Sequence, residues 1–437
     1  MRQTDMLKAP IRSVFFSYLA PSVSATLVTS IYILADTMMI GRGVGASGIA
    51  ALNLLLPLYS AYYGFGMMCG VGGSVLFGFS RGKGDEEAAK GYFTTALLLA
   101  VLLAAASIGL CAAFFDPLLI LLGDTPSLNP YSVPYGRVLV AGSPVFVFSS
   151  FLQAFVRNDG APKLAMAGVI SGGVTNVILD YVFIFPLGQG MAGAALATVM
   201  GTCLTVLILC THFFSKENHL KLAGGFSLKR AFAVASNGLA SFILEMSGGF
   251  VTFIFNRQLL AYVGETGVVV YSIISNAALV VKSISNGIAQ AAQPLISTNY
   301  GAGEHGRVGE ARSLGIRISL FAGVLFTAIG LLFPVPLSYL FLDPSDEVLS
   351  MAVPAIRLYF IAFIPAAWNI MCGTYFQAVV KPQLALANTL LRGIILNSLF
   401  VFLLPVFFGV EGIWVTVAVS EALTAAVVFW FMKKETN

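Results

Sequence analysis

PLGQGMAG at residues 186–193 returns as PVFFGVEG at 405–412, with proline and two glycines in the same spacing. The displacement is 219 residues, and it recurs elsewhere in the chain. Gly45-x-x-Gly48 returns as Gly264-x-x-Gly267, and Gly82-x-Gly84-Asp85 as Gly301-x-Gly303-Glu304. Val133-Pro134 with Arg137 returns as Val353-Pro354 with Arg357, one residue further on. Glycine alone is common where helices end, but local turn chemistry does not explain a shared register over separate loops. The chain is an internal duplication.

Composition says what is duplicated. The 437 residues are 58% hydrophobic and 10% charged, with a mean hydropathy of +0.88. Soluble domains carry about 25% charged residues, so this chain needs lipid as its solvent. Apolar runs long enough to cross a bilayer fall at about 12–40, 49–79, 92–114, 131–156, 163–185, 190–214, 231–258, 267–298, 314–341, 350–378, 383–405 and 410–432. The N-terminal run continues to Asp36, longer than the apolar core of a signal peptide, and reads as a retained first span. The predicted fold is all-α and polytopic: twelve spans in two six-helix lobes, residues 1–222 and 223–437. Six is even, so both lobes enter from the same side and the repeat is parallel.

The charges between spans agree. The termini and even-numbered loops hold Arg2, Lys8, Arg12, Arg81, Lys83, Lys90, Arg157, Lys163, Lys216, Lys221, Lys229, Arg230, Arg307, Arg312, Arg317, Lys381, Lys433 and Lys434. The odd-numbered loops hold mainly acids, among them Asp116, Asp124, Glu265, Asp343, Asp346, Glu347 and Glu411, with Arg42 the basic exception. The positive-inside rule puts both termini in the cytoplasm and the chain in the cytoplasmic membrane. The five cysteines form no CxxC pair and read as small buried thiols. His212, His219 and His305 show no metal-like spacing. No basic aromatic patch suggests nucleic acid. No GxxxxGK[ST], HExxH or GxSxG is present, which leaves an ATP-driven pump or an embedded enzyme without support. A monomer is expected, with lipid and small molecules as its partners and no organic cofactor.

Ionisable residues inside spans are costly and face a cavity or a partner. They are Asp36, Asp180, Glu245, Lys282, Arg392 and Glu421. For the last three a functional role and a structural ion pair stand equally open. Asn176 precedes Asp180 by one helical turn on the same face. An amide oxygen and a carboxylate so placed suit a small hard cation, or a shared proton if Asp36 stands beside them. Pro21 removes one backbone hydrogen bond from span 1 and makes it a candidate hinge. Glu245 is expected to be a functional acid of the carboxy lobe, facing a cavity, with small neighbours at Ser247, Gly248 and Gly249. Tyr32 and Met246 are read as cavity residues, with Met38, Tyr62, Met67 and Phe151 as further lining side chains; for each singly, packing is the alternative.

ILADTMMIGRGVGASGIAALN (33–53), NVILDYVFIFPLGQGMAGAALAT (176–198) and IAQAAQPLISTNYGAGE (288–304) together resemble the multidrug and toxic compound extrusion (MATE) family over essentially the whole chain. The resemblance implies an antiporter exporting small amphipathic or cationic compounds against inward sodium or proton flow. It implies a coupling-ion site at Asp36, Asn176, Asp180 and Thr198, with sodium as the metal if the ion is not a proton. It also implies Pro21 as hinge and Glu245 as the family's span-7 glutamate. Some branches carry a further acid in span 10, where this chain reads AAWNIMCGTYFQ without one. A carboxy-lobe ion site of that kind is therefore not implied. A flippase for a lipid-linked precursor, as in related branches, is the alternative, and a channel is a more distant one.

Overall fold

The computed structural model describes residues 3–341 and 344–436, without the side chains of 3–5 and 434–436. Arg2, Asp343 and the side chain of Lys434, counted above, lie outside that description. Among the described residues every regular element is a helix and there is no strand. In a bilayer the helix closes its backbone hydrogen bonds within its own segment, which an open sheet does not.

Six spans are single helices: Ile11–Gly43, Ala46–Gly82, Glu86–Ala113, Pro162–Ile184, Gly190–Phe214 and His305–Leu332, here spans 1, 2, 3, 5, 6 and 9. Spans 4 and 10 are bent pairs, Asn129–Ala141 with Ser143–Asn158 at 52° and Asp346–Phe360 with Phe363–Ala378 at 40°. Spans 7 and 8 run together as Leu228–Gly301, and spans 11 and 12 as Pro382–Lys433. Each long run is broken once, at Gly264 (φ 69°) and at Gly409 (φ 57°). Twelve crossings in two sets of six result.

The repeat extends to backbone conformation. Left-handed glycines occur in pairs: Gly45 with Gly264, Gly84 with Gly303, Gly190 with Gly409, each 219 residues apart. A side chain at φ near +60° crowds its own backbone, so these positions select glycine. Gly160 (φ 92°) has Val380 (φ 57°) as its partner, the one non-glycine residue in that region among the described residues. A short helix not anticipated from sequence, Phe115–Leu122, follows span 3 and is matched by Pro334–Phe341 after span 9. Span 9 therefore ends earlier than the expected 341. Pro334 has no N–H to continue the helix, and it starts the next one.

By contact the chain divides into two compact units, Met1–Met246 with Ser297–His305, and Ser247–Ile296 with Gly306–Asn437. The first unit takes in the start of span 7 and the end of span 8, because span 2 packs on both. Gly72 abuts Val234 and Gly238, and Gly82 abuts Thr298.

One charged cluster organises the end of the first unit. Asp159, 5% exposed, accepts hydrogen bonds from Arg81 Nη1 at 2.9 Å, His212 Nε2 at 2.8 Å, and His219 through Nδ1 at 3.1 Å and its backbone N–H at 2.8 Å. Spans 2, 4 and 6 and the following linker thus meet on one carboxylate. The sequence offered two histidines without metal spacing; their partner, far away in the chain, was not visible. Burial pushes the Asp159 carboxyl up, but the hydrogen bonds from His212 and His219 outweigh it and hold the group below its ordinary range.

Two predictions follow from these local geometries. Asp159→Asn removes the charge its three cationic or polar partners converge on, and is expected to cost about 3 kcal/mol of stability at neutral pH. A depressed carboxyl stabilises above its ordinary value near about 4 and loses that contribution as pH falls below it. Melting curves in detergent should therefore show the gap between wild type and variant closing only below that pH. Val380→Gly should raise stability by about 0.5–1 kcal/mol, the relief of a left-handed β-branched residue less the flexibility of glycine. An unchanged or lower melting temperature would contradict it.

Candidate functional site

Spans 5 and 6 touch backbone to backbone. A Cβ on Gly201 would stand 2.6 Å from the Gly172 carbonyl oxygen and 2.8 Å from Asn176 Cβ, so only glycine allows this approach. Gly172, Asn176 and Asp180 are four residues apart and share one face of span 5; Thr198, Thr202 and Thr205 share one face of span 6. The two faces meet. Asn176 Nδ2 donates to Thr198 Oγ1 at 3.4 Å, and Thr198 Oγ1 donates to the Ala194 carbonyl at 3.1 Å. Span 1 brings Asp36 within hydrogen-bonding reach of Asp180. All four residues expected for the ion site are together.

What is left unsatisfied shows the chemistry. Asp36 Oδ1, Asn176 Oδ1 and both carboxylate oxygens of Asp180 are buried without a hydrogen-bond donor. All four atoms are acceptors. Two carboxylates side by side have no stable arrangement in a low dielectric unless a proton or a cation stands between them. The donor set is two carboxylates, an amide oxygen and a hydroxyl, hard oxygens that fit sodium as well as a proton. Among the described residues no three His, Cys, Asp or Glu side chains converge as a metal cluster.

A pocket opens beside this group. Its walls include Tyr32, Tyr59, Tyr63, Gln153, Gly172, Asn176, Thr198 and Thr202, so Asn176 and Thr198 belong to both pocket and ion group. Tyr32 is where the sequence placed it. Tyr62 and Phe151 are not; both are buried in helix packing, at 1% and 0% exposure. Tyr59 and Tyr63, one turn apart, hold the cavity face of span 2, and Tyr62 points elsewhere. Met38 is exposed, Met67 and Met246 are half-buried, and none of the three lines the pocket. Tyr135 was missed altogether; from span 4 its side chain reaches Thr198 and lies within electrostatic range of both aspartates.

Glu245 requires a correction. Its place in the sequence assigns it to the carboxy-terminal six spans, yet by contact it belongs to the first unit. A Cβ on Gly64 of span 2 would meet Glu245 Cβ at 3.7 Å. The carboxylate lies within electrostatic reach of Tyr32, Tyr59 and Tyr63, the residues of the pocket wall. Pro21 is buried within span 1, whose helix continues through it.

Comparison with known proteins agrees with this architecture. The chain is 22% identical to the multidrug export protein MepA of Staphylococcus aureus over 96% of its own length and 92% of that protein. It is 24% identical to the FAD transporter of Shewanella oneidensis over 98% of its length and 96% of that protein. Among solved structures, an outward-facing multidrug resistance MATE transporter of the MOP superfamily superposes with a TM-score of 0.92 at 23% identity, over 99% of this chain and 97% of that one. A MATE in a bent conformation superposes with a TM-score of 0.90 at 22% identity, over 99% of this chain and 96% of that one. The family model MatE matches residues 21–182 and again 239–403, once in each half of the duplication, and the chain is a member of the MatE family of multi-pass membrane transporters.

Proposed function

We propose that the chain is a secondary antiporter of the cytoplasmic membrane, with both termini in the cytoplasm, exporting small amphipathic compounds, organic cations among them, on the influx of protons or sodium. The observation that carries this reading is the set of orphaned acceptors on Asp36, Asn176 and Asp180. A group of buried oxygens with no donor binds a cation from whichever side is open. Filling it relieves the repulsion between the two carboxylates; emptying it restores that repulsion. The two conditions favour different positions of span 1, which carries Asp36. Pro21 deprives that helix of the hydrogen bond to the Ser17 carbonyl, so bending there costs less than elsewhere. Drug and ion need not touch, because each need only favour an opposite-facing state.

The cargo has a second reading. The Shewanella relative is named for FAD and the staphylococcal one for multidrug export. Sequence likeness at this level favours neither over the other.

Transport in proteoliposomes under separately imposed proton and sodium gradients tests the coupling. Efflux of ethidium should follow at least one gradient, and the two ions should compete; efflux that ignores both would overturn the antiporter reading. Asp36→Asn and Asp180→Asn should each abolish gradient-driven efflux while leaving folded protein, since each substitution keeps shape and removes a charge from a crowded pair. Wild-type efflux from both variants would remove the ion site. Pro21→Ala should slow turnover at unchanged substrate affinity, as a stiffened hinge requires; unchanged turnover would remove Pro21 from the mechanism.

A further inference from the structure

The second lobe carries charges that the ion site does not use. Arg392 of span 11 forms a bidentate pair with Glu421 of span 12, Nη2 to Oε1 at 2.7 Å and Nε to Oε2 at 3.1 Å. Asn369 of span 10 donates to Glu421 Oε2 at 2.7 Å. Both oxygens of Glu421 are thereby taken. Arg392 sits in a single π-helical turn, Leu391–Ile395, a local irregularity often found at binding sites.

Lys282, in the middle of span 8, lies within electrostatic reach of Arg392 and Glu421. Glu421 already accepts three side-chain hydrogen bonds, and no ion pair or hydrogen bond to the Lys282 ammonium is found among the described residues. Two cations therefore face one acid. Lys282 is exposed, and the same helical face carries exposed Ser272 and half-buried Ser275, Asn276 and Asn286, while Val270, Ile274, Ala278 and Val281 on the other faces are buried. The exposed faces at Phe402, Val406 and Phe407 in the same unit are apolar by contrast. An ammonium with hydroxyls and amides at helical spacing would be costly against lipid tails, so this face meets water or a polar ligand.

The repeat supplies an independent observation. Subtracting the 219-residue offset sets Lys282 on Tyr63 and Glu421 on Thr202; subtracting 220, the offset around span 4, sets Asn369 on Ser149. Arg392 falls on Gly172 or Gly173, according to which offset applies in span 5. Every one of these amino-lobe residues lines the pocket described above. The charged group of the carboxy lobe thus occupies the positions that enclose a cavity in the other lobe.

We propose that Lys282, beside the Arg392–Glu421–Asn369 network, is the counter-charge for an acidic group, a carboxylate or a phosphate, on the transported molecule. The inference rests on the exporter reading and extends its cargo to zwitterions and organic anions. An ammonium without a carboxylate of its own is satisfied by an anion that arrives and leaves, whereas Arg392, already paired, keeps the lobe's own acid neutral.

The test is binding of two fluorescent probes, carboxyfluorescein and ethidium, to the purified full-length protein, together with their export from proteoliposomes. Lys282→Gln should weaken carboxyfluorescein binding by about tenfold or more, the scale of one charge-assisted contact, and leave ethidium unchanged. Lys282→Arg should retain carboxyfluorescein binding, which also guards against a variant that merely misfolds. Unchanged carboxyfluorescein binding in Lys282→Gln, or equal loss of both probes in Lys282→Gln and Lys282→Arg, would overturn the proposal. A wild type that binds and exports ethidium but not carboxyfluorescein would overturn it too, with the exporter reading intact. A wild type that exports neither would overturn the exporter reading itself, and the assignment of Lys282 with it.

Discussion

Within the hydrocarbon core no water is present to bond an exposed peptide group, and this constraint shapes everything else in the molecule. It makes every span a helix and confines each break to a residue that tolerates it. The two longest helical runs break only at Gly264 and Gly409, where φ is positive. The same constraint makes a buried charge or an orphaned acceptor expensive. Such groups in the first lobe include the clustered acceptors of Asp36, Asn176 and Asp180; in the second, the buried Arg392–Glu421 pair has Lys282 within electrostatic reach.

Much of this was legible in the amino-acid sequence because it depends on local rules. Glycine and proline mark the breaks, and their common offset exposes the duplication. Three pairs of left-handed glycines repeat in that register, and Val380 stands at the position of Gly160 one residue further on. Asn176 and Asp180 were legible as one helix face, and Asp36 as an acid too deep to be idle. Less visible was anything set by how one helix is rotated against another. Tyr59 and Tyr63 form the pocket wall while Tyr62, between them, is buried, a distinction that requires knowing the orientation of span 2. The convergence of Arg81, His212 and His219 on Asp159 joins residues separated by 53 to 78 positions. No spacing rule anticipates it. Glu245 shows the limit of the repeat as a guide to contact, since it belongs to the second half by sequence and to the first unit by packing.

The duplication makes the difference between the lobes measurable. Adding the offset to the ion group sets Asp36 on Phe255, Thr198 on Val417, and Asp180 on Leu399 or Phe400. The second lobe has no oxygen where the first has its carboxylates. Conversely, the pocket of the first lobe is lined by Tyr63, Ser149, Gly172, Gly173 and Thr202, all uncharged, where the second lobe has Lys282, Asn369, Arg392 and Glu421. On the proposed antiporter reading, coupling chemistry and fixed counter-charge fall to different copies of one design.

That separation has a physical logic. A carboxylate pair that must fill and empty with a cation changes the local field in each cycle by about one charge. On the proposed reading, a permanent cation placed beside it would offset one of the two charges, substitute for the coupling ion and uncouple the transporter. In the amino lobe the cavity positions that answer to Lys282 and Arg392 are a tyrosine and a glycine, which leaves the acids to be neutralised only by what binds from outside. In the carboxy lobe Glu421 already has its cation covalently present in the chain, as the guanidinium of Arg392 at 2.7 Å. Its partner is fixed in the same lobe, whereas the acceptors of Asp36 and Asp180 have none. On the proposed reading, the duplicated fold then carries one exchangeable site and one fixed one, an arrangement compatible with coupling a single ion-binding event to the movement of a separate solute.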